Sequence, residues 1–110
     1  MPYTGGPMTE AMYYVLLALL NPSHGYRLMQ DIEAVSQSRV TMGPGTLYGV
    51  LNRMLADGLI LLDTEEGRRK VYRITPSGRE ALQAEHTRLL AMVRDFEDMN
   101  NAEEGGARND

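Results

Sequence analysis

Hydrophobic positions in the middle of the chain recur at the spacing of an amphipathic helix. Between residues 44 and 57, apolar side chains lie three or four positions apart and share one helix face. They are Leu47, Val50, Leu51, Met54 and Leu55. Pro44 at the start and Gly58 after the end are typical boundary signals. An apolar run, a polar turn around Gly67 and an alternating segment up to Thr75 follow, and this order of helix, strand, turn and strand predicts a winged helix-turn-helix unit.

Two helices are predicted before this unit. The first is capped by Thr9 and extends to about Leu20, with apolar residues nearly all round. A helix with so little polar surface is usually buried on more than one side. It fits either a core helix within one protomer or a helix that also faces a second subunit or a ligand, and the pattern leaves both open. The second helix extends from His24 to about Val35, with Ser23 as its predicted cap.

A last helix is predicted to begin at Thr75 and Pro76 and to extend to about Asn100. Its apolar positions form a short heptad seam, which Glu85 interrupts near its start. The residues of this predicted dimerisation seam are Leu82, Leu89, Met92, Val93, Phe96 and Met99. Because an apolar stripe on a helix that leaves a small domain generally needs a partner, the seam predicts a homodimer.

The composition is that of one modest domain. The chain has 110 residues, of which 43% are hydrophobic and 24% are charged, and it has no cysteine. Disulfides and thiolate metal sites are therefore excluded. The first seven residues lack the basic start of a secretory signal, and the apolar run at residues 15–20 is far too short to span a bilayer. We expect a cytoplasmic protein.

The net charge of −4 is unfavourable for nucleic-acid binding, but the charge is unevenly distributed. Residues 39–79 contain seven Arg or Lys and four acidic residues, a local charge of +3. Residues 80–110 contain three Arg and eight acidic residues, a local charge of −5. The positive charge therefore lies in the predicted winged unit, and phosphate affinity depends on local charge.

The face of the central helix opposite its apolar side is small and polar instead of rich in Lys and Glu. Gly49 within this helix should cost roughly 1 kcal/mol relative to alanine, which suggests close approach to a major groove about 12 Å wide. A stable domain that tolerates an exposed glycine is the alternative. The basic hairpin beside the helix favours DNA, and the predicted base-contacting residues are Thr46, Tyr48, Asn52 and Arg53. For Tyr48, a phosphate contact or a place in the core is the alternative.

Cationic residues on the hairpin and polar residues at the start of the second helix are predicted to bind DNA phosphates. They are Arg68, Arg69 and Lys70 on the hairpin and His24 and Tyr26 on the helix. Glu65 and Glu66 lie next to the cations and weaken their field, so an ordinary solvated turn remains the alternative.

Residues for catalysis are lacking. The two histidines are far apart in the sequence, and no group of three or four ligands has metal-site spacing. The segment Gly43-Pro44-Gly45 lacks the lysine and the preceding strand of a phosphate-binding loop. We predict no catalytic site, metal or cofactor.

Several short motifs resemble those of the PadR family of bacterial transcriptional regulators, in the same order and over about residues 8–96. They are His24-Gly25-Tyr26, Gly45-Thr46-Leu47-Tyr48, Asp57-Gly58-Leu59-Ile60 and the run from Arg69 to Gly78. The single helix after the hairpin is similar to that of the short subfamily, although Gly49 stands where the family often has proline. The resemblance implies a dimeric winged-helix repressor that binds a palindromic operator and is often released by a small hydrophobic or aromatic effector.

Together these patterns predict a mainly α-helical fold with a small β-hairpin. We expect a flexible leader (1–7), a winged helix-turn-helix DNA-binding domain (8–75), a dimerisation helix (76–100) and a disordered tail (101–110). Met12, Met92 and Met99 form a candidate effector pocket between subunits, although core packing is the commoner use of such residues. A winged-helix module that binds proteins instead of DNA is the main alternative, and the acidic last third supports it.

Overall fold

A computed structural model describes residues 5–105 of the chain. Over these residues the backbone forms four helices and a small three-stranded antiparallel sheet. The elements are α1 (Glu10–Ala18), β1 (Ser23–His24), α2 (Gly25–Val35), α3 (Pro44–Ala56), β2 (Ile60–Glu66), β3 (Arg69–Ile74) and α4 (Pro76–Gly105). The predicted order of helices and hairpin strands is confirmed, and β1 is an additional strand.

Helix boundaries follow the local signals in the sequence. The Thr9 hydroxyl accepts a hydrogen bond from the Met12 N–H at 3.1 Å, which satisfies one of the free donors at the start of α1. Pro44 occupies the first turn of α3. Gly58 follows α3 with a φ of 76°, in the left-handed region that glycine adopts without strain.

The predicted cap of the second helix is wrong. Ser23 and His24 are in strand β1, where they pair with Tyr72 and Val71 of β3. The helix therefore begins at Gly25, and the His24 side chain accepts the Arg27 N–H through Nδ1 at 3.4 Å. This long-range pairing is absent from the local pattern, because it depends on a strand almost fifty residues away.

The sheet has the order β1-β3-β2, with all pairs antiparallel. The β2–β3 register pairs Ile60 with Ile74, and a bulge lies between Leu62 and Thr64. Gly67 forms the turn with a φ of 61°. The hairpin is therefore anchored at its base by buried Ile60 and Ile74, and its tip extends into solvent.

One core lies between α1, α2, α3 and the sheet, and its most enclosed side chains come from all three helices. The buried apolar residues include Val15, Leu16, Leu19, Leu28, Ile32, Leu47, Leu51 and Met54. Met12 and Leu82 also belong to this core. Leu82 therefore packs within its own protomer, and its predicted place in a free dimerisation seam is wrong.

Helix α4 begins where predicted. The Thr75 hydroxyl accepts the Gly78 N–H at 3.0 Å and donates to the Gly58 carbonyl at 2.8 Å, which joins the start of α4 to the end of α3. The helix extends to Gly105, so the predicted disorder is wrong for residues 101–105. Residues 1–4 of the predicted leader and 106–110 of the predicted tail lie outside the described residues. No helix within residues 5–105 combines the length and the apolarity needed to cross a bilayer.

Candidate nucleic-acid interface

The outer face of α3 is exposed and bears little charge. Thr46, Asn52 and Arg53 are all exposed, as predicted for residues that face a partner. A Cβ added at Gly49 would meet no atom within 4 Å. The packing of the protomer therefore does not require glycine at this position, and the reason for it must lie outside the protomer or in tolerance of a small loss of stability.

Tyr48 lies apart from the other predicted base-contacting residues. Its phenol end lies against the first residue of α2, where a Cβ on Gly25 would be 2.2 Å from the Tyr48 hydroxyl oxygen. The absence of a side chain at Gly25 therefore provides the space that Tyr48 occupies. This contact joins α3 to the start of α2, and the sequence pattern did not reveal it.

The β2–β3 hairpin is the wing of the fold. The wing and the start of α2 line a shallow cleft of about 350 Å³. We call it the cationic cleft. Its lining residues are His24, Gly25, Tyr26, Tyr48, Arg68, Arg69 and Lys70. All five predicted phosphate-binding residues are thus brought together, although they come from segments more than forty positions apart in sequence. Tyr48 joins them, which groups it with these residues instead of with Asn52.

Charges in the wing are partly paired. On β3, Arg73 forms an ion pair with Asp63 of β2 at 3.4 Å. Among the described side chains, Arg68, Arg69 and Lys70 form no ion pair, and all three are exposed. The cations that line the cleft are therefore available to an external anion. Exposed cations suit contact with an external anion such as phosphate, although Glu65 and Glu66 lie opposite Lys70 and Arg69 in the β2–β3 register and weaken their field.

Tyr72 lies on β3 behind the cationic cleft. Burial raises the pKa of its phenol above the usual value, and neighbouring Tyr48 and Glu65 raise it further. The hydroxyl, like that of an ordinary tyrosine, is protonated at neutral pH, and the raised pKa keeps it protonated further into alkaline solution. Tyr72 is part of the core and supports the wing from the inside.

Arg53 on the α3 face forms an ion pair within its own helix. Its Nε lies 3.5 Å from Oδ2 of Asp57, one helical turn further on. The Arg53 side chain is 71% exposed, whereas that of Asp57 is 2% exposed. Asp57 opens one of the PadR-like motifs, but the motif does not indicate its ion pair with Arg53. The i,i+4 spacing of Arg53 and Asp57 is the sequence feature that could have indicated this ion pair.

A sequence model of the PadR-like family of transcriptional regulators matches residues 15–84, which include α2, α3 and the whole wing. The chain belongs to the PadR-like family. Regulators of this family bind DNA. The fold and the motifs described above therefore agree with the assignment to a family of transcriptional regulators.

Two relatives of this PadR-like chain are similar to it in sequence, and one of them is named a transcriptional regulator. The transcriptional regulator Rv3488 of Mycobacterium tuberculosis is 40% identical over 78 residues, which are 68% of this chain and 70% of that protein. An uncharacterised 37.1 kDa protein from a transposon of Streptomyces fradiae is 42% identical over 90 residues, which are 80% of this chain but 26% of that protein. The chain thus spans only about a quarter of the Streptomyces relative.

The fold of a solved transcriptional regulator from Clostridium thermocellum is similar to that of the PadR-like chain. It superposes with a TM-score of 0.70 at 22% identity, over 80% of this chain and 87% of that one. At this identity the likeness concerns the fold alone.

Much of the predicted dimerisation seam is exposed in the PadR-like protomer. Met92, Val93, Phe96 and Met99 are 51–73% exposed, and Leu89 is half-buried. A separate groove of about 570 Å³ lies between α1 and α4, where Tyr13, Leu17 and Leu20 face α4. We call the first surface the α4 stripe and the second the α1–α4 groove. The contribution of α1 to this groove is consistent with its apolar character on more than one side.

The three methionines of the predicted effector pocket do not meet within one protomer. Met12 is buried in the core, whereas Met92 and Met99 are exposed on α4. Met12 does not line the α1–α4 groove or the cationic cleft. Because one protomer does not test a pocket between subunits, the effector role of the three methionines stays a prediction.

Proposed function

We propose that this chain is a sequence-specific DNA-binding repressor that acts as a homodimer on a palindromic operator. The observation that supports this function best is the position of the cationic cleft beside the open outer face of α3. A helix face that carries Gly49 and little charge suits a major groove, and adjacent cations suit the phosphates on its rim. Neither feature alone distinguishes DNA from solvent, but together they fit a duplex.

Base contacts come from the exposed polar side chains of α3. Arg53 presents a guanidinium that can donate two hydrogen bonds to guanine, and Asn52 can bond adenine in the same bidentate way. Thr46, near the start of α3, has a hydroxyl for a base edge or a methyl contact with thymine. Tyr48 takes a different part, because its contact with Gly25 and its place in the cationic cleft suit a phosphate.

Phosphate contacts come from the cationic cleft and set the position of the protein on the duplex. Arg68, Arg69 and Lys70 supply charge from the wing, and His24 and Tyr26 supply polar groups beside the first free N–H groups of α2. Contacts of this kind add affinity for any duplex and carry little sequence information.

The homodimer is supported by the α4 stripe and the α1–α4 groove. Large exposed apolar patches on a small protein usually mark an interaction site. A second copy provides a matching helix for the stripe. Two α3 helices related by a two-fold axis contact half-sites about one DNA turn apart, roughly 34 Å, which is why we propose a palindromic operator.

The test starts from a pool of duplexes with randomised centres, from which the full chain selects its preferred sequence. We predict that Arg53→Ala lowers the preference for one base pair of this sequence by roughly tenfold. Arg69→Ala should weaken selected and unselected duplexes alike and reduce the salt slope of binding by about one. Affinities from gel shifts at several salt concentrations distinguish these two effects.

Arg94→Ala is the matched control, since it removes the same charge from an exposed position on α4. It should change neither the sequence preference nor the salt slope. Equal losses from Arg53→Ala and Arg69→Ala would contradict the division of roles. No binding to any duplex at low salt would favour the protein-interaction module.

We further propose that a small hydrophobic or aromatic effector releases the repressor from DNA. The α1–α4 groove supports this idea, because its apolar and aromatic lining adjoins His86 and Arg79 at one edge. Titration of aromatic compounds against the protein–DNA complex tests release.

Transcription in vitro from the selected operator, with and without the protein, tests repression. Stimulated transcription would overturn the repressor assignment.

A further inference from the structure

Asp57, the residue that caps the end of α3, is a buried carboxylate on an otherwise exposed face. Its Oδ2 faces Nε of Arg53 at 3.5 Å. Its Oδ1 is buried and has no hydrogen-bond partner among the described residues. A buried acceptor without a partner is unfavourable, so the fold retains this carboxylate at a cost in stability. This cost suggests that Asp57 has a role other than stabilising the protomer.

The ion pair uses one side of the guanidinium and leaves the other side open. Arg53 approaches Asp57 through Nε, and its two Nη nitrogens form no hydrogen bond or ion pair with the described residues. The Nη pair is the part of the group that can bond guanine O6 and N7. Because Asp57 holds Nε from the end of the helix, the outer donors are presented on the exposed side of α3.

We propose that Asp57 is a positioning residue for sequence discrimination. It holds Nε of Arg53, so that the guanidinium and its two Nη donors have one orientation before DNA binds. The proposal rests on the proposed function of Arg53 as a base-contacting residue. A long arginine loses considerable rotamer freedom when it is immobilised at an interface. Restraint in the free protein therefore favours the one orientation that matches guanine and does not favour phosphate contacts in general.

A second arginine–aspartate pair in the chain shows what is special about this one. Arg27 and Asp31 on α2 have the same i,i+4 spacing and a similar distance, 3.3 Å. Their side chains are 64% and 44% exposed, so solvent screens the pair, although Nε of Arg27 donates a hydrogen bond to Oδ1 of Asp31. Asp57, by contrast, is immobilised by burial. Of these two arginine–aspartate pairs, the α3 pair alone joins a buried carboxylate to an exposed arginine.

Asp57→Asn tests the proposal, with Asp31→Asn as the matched control that removes the same charge. Both variants are compared with the wild type on the sequence selected from randomised duplexes and on versions with single base-pair changes. We expect Asp57→Asn to lower the preference for the guanine contacted by Arg53 by roughly tenfold. Both variants should bind an unselected duplex equally. In an Arg53→Ala background, Asp57→Asn should cause no further loss of preference.

Two more variants separate positioning from folding. Asp57→Glu retains a carboxylate and should restore part of the preference that Asp57→Asn loses. Arg53→Lys retains the charge but lacks the fork, and it should lose the preference without losing general affinity. Thermal unfolding shows whether each variant is folded.

The possible outcomes are distinct. Full guanine preference in Asp57→Asn, at a position where Arg53→Ala loses it, overturns the positioning role. A parallel loss at every base pair, with a lower unfolding temperature, also overturns it and assigns Asp57 to the fold. If the wild type shows no preference among duplexes, the proposed function itself fails, and the selection experiment shows this first.

Discussion

Gly25 and Gly49 are glycines for different physical reasons. At Gly25 a Cβ would lie 2.2 Å from the Tyr48 hydroxyl oxygen, whereas at Gly49 it would lie in open space. One glycine therefore serves a contact within the protomer. Gly49 is not required by any contact within the protomer, so substitutions at this position test whether a partner approaches α3 from outside.

We predict that Gly49→Ala stabilises the protein and weakens DNA binding. Alanine in a helix interior is more favourable than glycine by about 1 kcal/mol, so the free energy of unfolding should rise by that amount. The added methyl group should separate α3 from the floor of the major groove and lower affinity. Chemical denaturation and gel shifts measure the two effects. An increase in both stability and affinity would indicate that close approach is not the reason for the glycine.

Gly25→Ala should act on DNA through Tyr48. The clashing atoms are at the far end of a flexible side chain, so Tyr48 can swing away with little loss of stability. We expect weaker binding to every duplex, because the cationic cleft loses one wall. In a Tyr48→Ala background the same change should have no further effect on affinity. An additive loss in the double variant would contradict this coupling.

At the scale of elements, α4 is attached to the core by more than apolar contacts. Glu85 interrupts the heptad seam predicted from the sequence, and its side chain is 4% exposed. A hydrogen bond from Arg88 holds the pKa of Glu85 below its usual value, with a further contribution from the Met8 backbone. Glu85 thus connects α4 to the chain just before α1.

This lowered pKa predicts that protonation of Glu85 in acid lowers the stability of the protein. Since the folded carboxylate releases its proton more readily than the unfolded one, its stabilisation is fully present above the ordinary glutamate pKa. It is lost as the pH falls through the lower pKa of the folded state. Glu85→Gln should therefore lower the unfolding temperature at pH 7, with a smaller deficit in acid. Scanning calorimetry across this range tests it, and an equal deficit at both ends would contradict the role.

At the scale of the whole molecule, α4 determines the shape. The protomer measures 66 × 29 × 21 Å, and the α4 stripe lies on the part of the helix beyond the core. A helix of thirty residues with its apolar side in water is unfavourable alone. This exposed apolar surface supports the proposed homodimer.

Phe96→Asp tests the dimer directly. A carboxylate on the α4 stripe would be buried without a partner between two subunits, so we expect a folded monomer with much weaker DNA binding. Leu82→Ala is the contrasting variant. It removes a core side chain and should lower the free energy of unfolding by about 2–5 kcal/mol. Light scattering measures the mass, and a dimeric Phe96→Asp protein would overturn this arrangement.

The amino-acid sequence alone determined the features that depend on neighbours within a few residues. Thr9, Pro44 and Gly58 act on their own helix ends, and the apolar spacing of α3 is a local periodicity, so these elements were predictable. The cluster of cations in the wing was also visible, because consecutive residues are necessarily close. The family motifs summarise the same local information in a fixed order.

Only the tertiary structure decided which distant residues meet. The pairing of β1 with β3 changed Ser23 from a helix cap to a strand residue, and the α1 and α4 packing moved Leu82 from a seam into the core. Because α3 packs beside α2, Tyr48 lines the cationic cleft, whereas the helical period alone predicted it among the base-contacting residues. Heptad spacing and helix faces describe one element at a time. Contacts between elements depend on how several of them pack together, and periodicity carries no record of this.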